Sequence, residues 1–249
     1  MSTLKSIATA CSRKVLDSEL HEEPFKRIVV DNFMPQSVII EAFNRFPLIT
    51  SSIWEKTDDD VEKKYRSNFS SEFDFPVGSI SMVRVLNSSI MLKAISEVFG
   101  IPKLIPDPYF TGGGLNMQTR GGMLDVHVDG NYHDATGLNR RINAIVFLNP
   151  GWQKSWGGEF GVYDNKGEKL VEAIEPLMNR LVIFDTDDKS FHGTPNPLNC
   201  PDDVTRKSLI LYYYTKEPRK NIVFDKPHSA LWKSRGVKDK NNNVKREYS

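Results

Sequence analysis

Apolar and polar positions follow two different rhythms along this chain, and the rhythm changes near Leu115. Before that point the apolar residues recur at helical steps. Val38, Ile39, Ala42, Phe43 and Phe46 follow Pro35 on one stripe, which predicts a helix over 36–46. Ile90, Leu92, Ile95 and Val98 predict a second helix over 89–99, with Gly100 as its stop. A β-branched run over 25–33 precedes both and closes at Asp31 and Asn32, as a strand ending in a turn does. The segment 55–66 is charged and lacks an apolar period, so it reads as an exposed loop.

Beyond Leu115, short β-rich runs follow one another at 115–119, 123–128, 142–148, 159–163, 170–174, 181–184 and 208–214. Clusters of Gly, Pro, Asn or Asp bound each of them, the sequence pattern of a β-sandwich or barrel. The expected fold is mainly β with flanking α-helices, around a double-stranded β-helix (jelly-roll, cupin-like) core. The expected partition has an N-terminal extension over 1–24 and one domain over 25–216. Within that domain, helical support spans 36–100 and the jelly-roll core 105–216. A polar C-terminal extension over 217–249 follows, and from Val237 onward its composition is too polar to fold alone.

Composition narrows the function more than the fold. The 249 residues are 39% hydrophobic and 26% charged, with a net charge of +1, so no global electrostatic case exists for nucleic acid or an anionic membrane. The basic residues from Lys216 onward read as a solvated tail. No apolar run approaches the ~18 residues of a membrane span. The start of the chain has too short and interrupted an apolar run for the ~7–15 residue core of a signal peptide. Cys11 and Cys200 have neither metal nor redox spacing, so a reducing, cytoplasmic setting is expected.

The chemistry is carried by a few polar residues in the β-rich half. His127 and Asp129 lie two apart on an expected strand, so both side chains face one side. Such a triplet is common by chance, and it gains meaning only from residues farther down the chain. His192 sits in a short loop after the strand ending at Phe184, and Arg206 opens the next strand, where Arg206, Ser208, Ile210 and Tyr212 share a face. Two imidazoles and a carboxylate on one side of a metal leave its other positions open, which suits Fe(II); Zn(II) accepts the same set. A buried Arg is rare unless paired, so Arg206 beside such a site points to an anionic ligand. With the Ser208 hydroxyl it suits a dicarboxylate. His21 and His228 read as surface residues. Asp185 either orients a ligand histidine or caps a turn, and Trp152 and Trp156 read as packing.

In order and spacing, these residues resemble the Fe(II)- and 2-oxoglutarate-dependent oxygenases, in particular the prolyl 4-hydroxylase-like branch. The resemblance runs over roughly 25–216: the opening strand from Ile28 to Pro35, His127-Val128-Asp129, the strand from Arg141 to Asn149, Trp152 with Trp156-Gly157-Gly158-Glu159, Phe184-Asp185, His192 and Arg206-Lys207-Ser208. It implies Fe(II) on His127, Asp129 and His192, with O2 and 2-oxoglutarate as co-substrates and Arg206 on the far carboxylate. It implies hydroxylation of an unactivated C–H bond with release of succinate and CO2. Where many relatives carry tyrosines, this chain has Gln118 and Phe147, which leaves Gln118 and Asn143 as candidate second anchors of 2-oxoglutarate. Arg140 and Arg141 open a strand at the mouth; one of them touches substrate or closes a loop, and Arg141 is the candidate, with Tyr212, Tyr132 and His133. His133 is either exposed or a substrate contact. The substrate is a prolyl or other protein side chain, or a free amino acid or small molecule. A non-catalytic cupin-like metal-binding module, or a zinc-dependent enzyme on the same fold, is the alternative.

Overall fold

The computed structural model describes residues 3–220 and 226–234, and the backbone of two short strands at 237–238 and 244–246. Four α-helices come first: α1 (Leu4–Leu16), α2 (Gln36–Asn44), α3 (Val77–Leu86) and α4 (Ser89–Phe99). Ser88 caps α4 by accepting from the Met91 amide, and Gly100 ends it at φ +67°. That left-handed turn is the one glycine reaches without steric cost. Among the described residues no helix is long and apolar enough to cross a membrane.

The strands begin with β1 (Arg27–Val30), β2 (Trp54–Asp58) and β3 (Glu62–Ser67). After the helices come β4 (Ile105–Pro106), β5 (Gly114–Gln118), β6 (Met123–Leu124), β7 (His127–Val128) and β8 (Asn139–Phe147). Next are β9 (Phe160–Tyr163), β10 (Leu170–Ile174), β11 (Leu181–Asp185), β12 (His192–Gly193) and β13 (Arg206–Thr215). The short strands β14 (Leu231–Trp232), β15 (Val237–Lys238) and β16 (Val244–Arg246) end the series. The large antiparallel sheet runs β1-β11-β8-β13-β5-β3-β2, with β4 added on β13 and β6 on β3. The small sheet runs β10-β9-β12-β7-β14. The two form the expected jelly-roll.

Strand parity separates two cores. Ile142, Ala144 and Val146 of β8, with Leu209, Leu211 and Tyr213 of β13, face the helices in one large cluster. Ile145 and Phe147 face the other way, onto Phe160, Val162, Val182 and Phe184 between the sheets. The helix side is therefore structural, and the space between the sheets is left for the site.

Four sequence expectations change. The 1–24 segment is no appendage: α1 buries Ile7, Ala8, Cys11 and Val15 in the large core and packs on α4. Helix α3 is absent from the sequence expectation, because Val77, Gly78, Ser79 and the β-branched residues after them are weak helix formers. Packing overrides that preference: a Cβ at Gly78 would stand 2.4 Å from the Ala42 backbone nitrogen, so α3 lies against α2 as only glycine permits. The 55–66 segment is a hairpin, β2 with β3, whose Tyr65 and Arg66 extend the large sheet beside Met117 and Asn116. It pairs by backbone hydrogen bonds, which need no apolar period.

The polar C-terminal extension is also partly built in, since β14 pairs with β7. The expectation for the stretch from Val237 falls largely outside the described residues; within them, β15 and β16 pair with each other.

Candidate metal centre

The run expected over 123–128 breaks at Asp125 and Val126. Its first half, β6, pairs in the large sheet, and its second half, β7, pairs in the small one. The chain thus crosses between sheets just before His127. On the neighbouring strand β12, His192 stands directly opposite His127. His127, Asp129 and His192 are all buried, with one ligand-type atom of each within 4.8 Å of the others.

The tautomers are set by backbone. His127 Nδ1 donates to the Asp125 carbonyl at 2.8 Å, and His192 Nδ1 donates to the Ser190 carbonyl at 2.9 Å. Each Nε2 keeps its lone pair, and both converge on Asp129 Oδ1, at 3.6 Å and 3.8 Å. Asn143 Nδ2 donates to Asp129 Oδ2 at 3.1 Å, which turns the other oxygen towards the imidazoles. Hydrogen bonds of this kind orient metal ligands and raise their basicity.

Charge follows burial. Desolvation would raise the Asp129 carboxyl, but the neighbouring His127, His192 and Arg140 outweigh it and hold Asp129 well below the usual range. Burial and the adjacent His127 push His192 down to about 4. At neutral pH the set is therefore one carboxylate and a neutral His192, with the lone pair a metal needs. The donor set fits a divalent metal.

One wall beyond the triad carries a cation and two unpartnered polar atoms. Arg206 opens β13 opposite Gln118 of β5, and Ser208 stands opposite Asn116. Burial lowers the Arg206 guanidinium to about 10, against the pull of Glu159, so it stays charged. Its Nε donates to the Gly158 carbonyl at 2.6 Å, and its guanidinium lies 4.9 Å from the centre of the Phe147 ring. Among the described residues no carboxylate lies within ion-pair distance of it. Ser208 Oγ and Asn116 Oδ1 are buried without a hydrogen-bond partner. Gly158, at φ +78°, explains the paired glycines: a Cβ there would stand 3.0 Å from Arg206 Cδ and 3.3 Å from the Trp152 ring. Asn116 escaped the sequence reading, although it shares a strand face with Gln118.

The triad and this wall line one cavity of about 1290 Å³, which β3 and residues 226–232 also line. Gln118, Asn143, Tyr132 and Tyr212 line it as well. Arg141 does not; Arg140 does. A β-bulge is the reason. Tyr213 pairs with Ile142 and Tyr214 with Arg140, so Arg141 has no partner and the strand's facing reverses there. Arg140 lies 3.9 Å over the Tyr212 ring, while Arg141 lies near Arg219 and Asp185.

His133 is neither exposed nor a cavity residue. It is buried, with Nε2 donating to Asp107 at 3.0 Å and Nδ1 accepting from the amides of Ala135 and Thr136. Asp185 pairs with Arg219 rather than with a ligand histidine. His228 lines the cavity and pairs with Asp188 at 3.1 Å, so it is no free surface residue.

Residues 113–214 match the 2OG-Fe(II) oxygenase superfamily. The chain is 25% identical over 199 residues to prolyl 3-hydroxylase OGFOD1 of Mus musculus, covering 78% of this chain and 34% of that protein. It is 29% identical over 94 residues to prolyl hydroxylase EGLN3 of Homo sapiens, covering 37% of this chain and 35% of that protein. It thus spans about a third of these relatives' lengths. A prolyl hydroxylase from Trichoplax adhaerens, solved with a hypoxia-inducible-factor peptide fragment, superposes with a TM-score of 0.61 at 17% identity over 86% of this chain and 94% of that one. HygX from Streptomyces hygroscopicus, solved with nickel and 2-oxoglutarate, superposes with a TM-score of 0.52 at 10% identity, covering 84% and 93%. Over residues 113–214, the chain is thus similar to the 2OG-Fe(II) oxygenase superfamily.

Proposed function

We propose that this chain is an Fe(II)- and 2-oxoglutarate-dependent dioxygenase that hydroxylates an unactivated C–H bond in a prolyl or other peptide side chain, with release of succinate and CO2. One observation carries the reading: the converging Nε2 atoms of His127 and His192 share a cavity with a half-buried guanidinium that has no carboxylate partner among the described residues. A metal module or a zinc hydrolase on this fold has no need of Arg206, Ser208 and Asn116 gathered around an anion seat.

His127, Asp129 and His192 would hold the metal, whose chemistry is the activation of O2. The residues around it do the positioning. Arg206 presents a planar fork to the far carboxylate of 2-oxoglutarate, and the Ser208 hydroxyl and Asn116 carbonyl offer further polar contacts. Gln118 stands beside them. Asn143 bonds the ligand Asp129, so its role lies with the metal rather than with 2-oxoglutarate. The mouth then falls to Arg140, Tyr212 and Tyr132.

A peptide suits this mouth better than a free amino acid does. The cavity of about 1290 Å³ exceeds the roughly 300–1,000 Å³ typical of a small-ligand site. Succinate formation from 2-oxoglutarate should require Fe(II) and O2 and rise with proline-containing peptides, which should gain one oxygen atom by mass spectrometry. Oxygen-dependent succinate release from amino acids alone, with no peptide modified, would move the substrate to the small-molecule class. No succinate under any condition would remove the dioxygenase reading.

A further inference from the structure

Leu231 and Trp232 belong to a stretch that reads in sequence as a polar appendage, yet the fold seats them on the ligand strand. In the small sheet β7 lies between β12 and β14. His127 therefore has two cross-strand partners, His192 on one side and Trp232 on the other. The imidazole is 4.3 Å from the His192 ring and 4.6 Å from the Trp232 indole, which is inclined to it by 35°.

The docking of this segment is specific. Lys233 donates its amide to the Val126 carbonyl at 2.8 Å, one residue before the ligand. On the other side of the ligands, Asn131 holds the approach with both ends of its side chain. Its Nδ2 donates to the Lys226 carbonyl at 3.2 Å, and its Oδ1 accepts from the His228 amide at 2.9 Å. Gly130 leaves the room for this crossing: a Cβ there would lie 2.9 Å from the His228 carbonyl oxygen and 3.2 Å from Ser229 Cα. The residues on both sides of the ligand pair thus carry the contacts that seat 226–233.

We propose that Trp232 is a positioning residue of the metal centre, holding the His127 imidazole so that Nε2 faces the metal and covering that ligand on its open side. The inference rests on the metal reading above. A single hydrogen bond from Nδ1 fixes the tautomer of His127 but leaves the ring free to tilt about that bond. Packing from both neighbouring strands removes that freedom. His192 cannot supply both sides, because it is itself a ligand on one of them. The indole is a flat, apolar surface at the register position that faces the imidazole, and it adds no competing ligand atom.

Co(II) binding by equilibrium dialysis, with no turnover required, tests this on the full-length chain. Trp232→Ala should weaken Co(II) binding by about tenfold or more, the scale typical of lost contacts around metal ligands. Trp232→Phe, which keeps an aromatic face, should restore most of it. Co(II) should also quench tryptophan emission in the wild-type protein, and that loss should shrink in Trp232→Phe, which removes the tryptophan beside the ligand. Wild-type binding with an equally tight Trp232→Ala variant overturns the inference and leaves the metal reading standing. So does a Phe variant as weak as the Ala variant, or quenching unchanged in Trp232→Phe. If Trp232→Ala does not fold, the Phe variant's affinity and quenching decide. Absence of Co(II) binding by the wild type overturns both readings.

Discussion

His127 and His192 face each other across adjacent strands, and each donates Nδ1 to the carbonyl two residues before it. The same local device is used twice, on two strands that are distant in sequence. Its consequence is that both rings offer Nε2 to one point, where Asp129 Oδ1 already lies. The backbone has thus chosen the tautomers before any metal arrives, which lowers the reorganisation needed on binding.

Loss of one ligand should break the site. Asp129→Ala and His192→Ala should each weaken metal binding by at least about tenfold and abolish 2-oxoglutarate turnover. Metal content by mass spectrometry and succinate release measure the two effects separately. Full activity in either variant would sink the ligand assignment.

Arg206→Lys keeps the charge and loses the planar fork, so it should raise the KM for 2-oxoglutarate while the metal stays bound. Initial rates against 2-oxoglutarate concentration, with metal content as the control, provide the check. An unchanged KM contradicts the role given to Arg206.

The bulge at Arg141 makes a paired prediction. Arg140→Ala should impair substrate hydroxylation while leaving substrate-free decarboxylation of 2-oxoglutarate near normal, because Arg140 lines the mouth beside Tyr212. Arg141→Ala should have the smaller effect on hydroxylation. The reverse order, measured as hydroxylated product per turnover, would place the mouth on the other face of β8.

Stability of the metal-free protein should depend on pH through His192. Its ordinary value is 6.5, and burial with the adjacent His127 pushes it down to about 4. Between those values the unfolded chain binds a proton that the folded chain excludes. Stability from this group is therefore complete above about 6.5 and is lost as pH falls towards 4. The full effect is on the order of 3 kcal/mol. Urea unfolding at about pH 7 and about pH 4.5 should show the loss, and His192→Gln should reduce it. Equal stability at both pH values in the wild type would contradict a buried, neutral His192.

Substituting Gly78 tests the helical support. A methyl group there meets the Ala42 backbone at 2.4 Å, and backbone cannot yield as a side chain can. Gly78→Ala should lower stability by about 1–3 kcal/mol, the cost of overpacking, despite alanine's better helix propensity. Chemical denaturation gives the sign directly, and a stabilised variant would mean that α2 and α3 separate easily.

What the sequence determined by itself was the set of parts and their faces. Period-two alternation placed Arg206, Ser208 and Tyr212 on one side of β13, and two-residue spacing placed His127 beside Asp129. These are local facts, because strand geometry turns every second side chain the same way. The helix α4 was legible for the same reason, through its stripe and its glycine stop. Tertiary structure decided whatever depended on a partner from elsewhere in the chain. The bulge that brings Arg140 to the cavity instead of Arg141 exists only in the pairing of β8 with β13. The burial of His133 depends on Asp107, and α3 depends on the close approach of α2 at Gly78. The place of Trp232 against His127 depends on a strand pair whose members lie far apart in the chain. Periodicity reports which way a side chain faces along its own strand, and only the folded arrangement of strands fixes what that side chain meets.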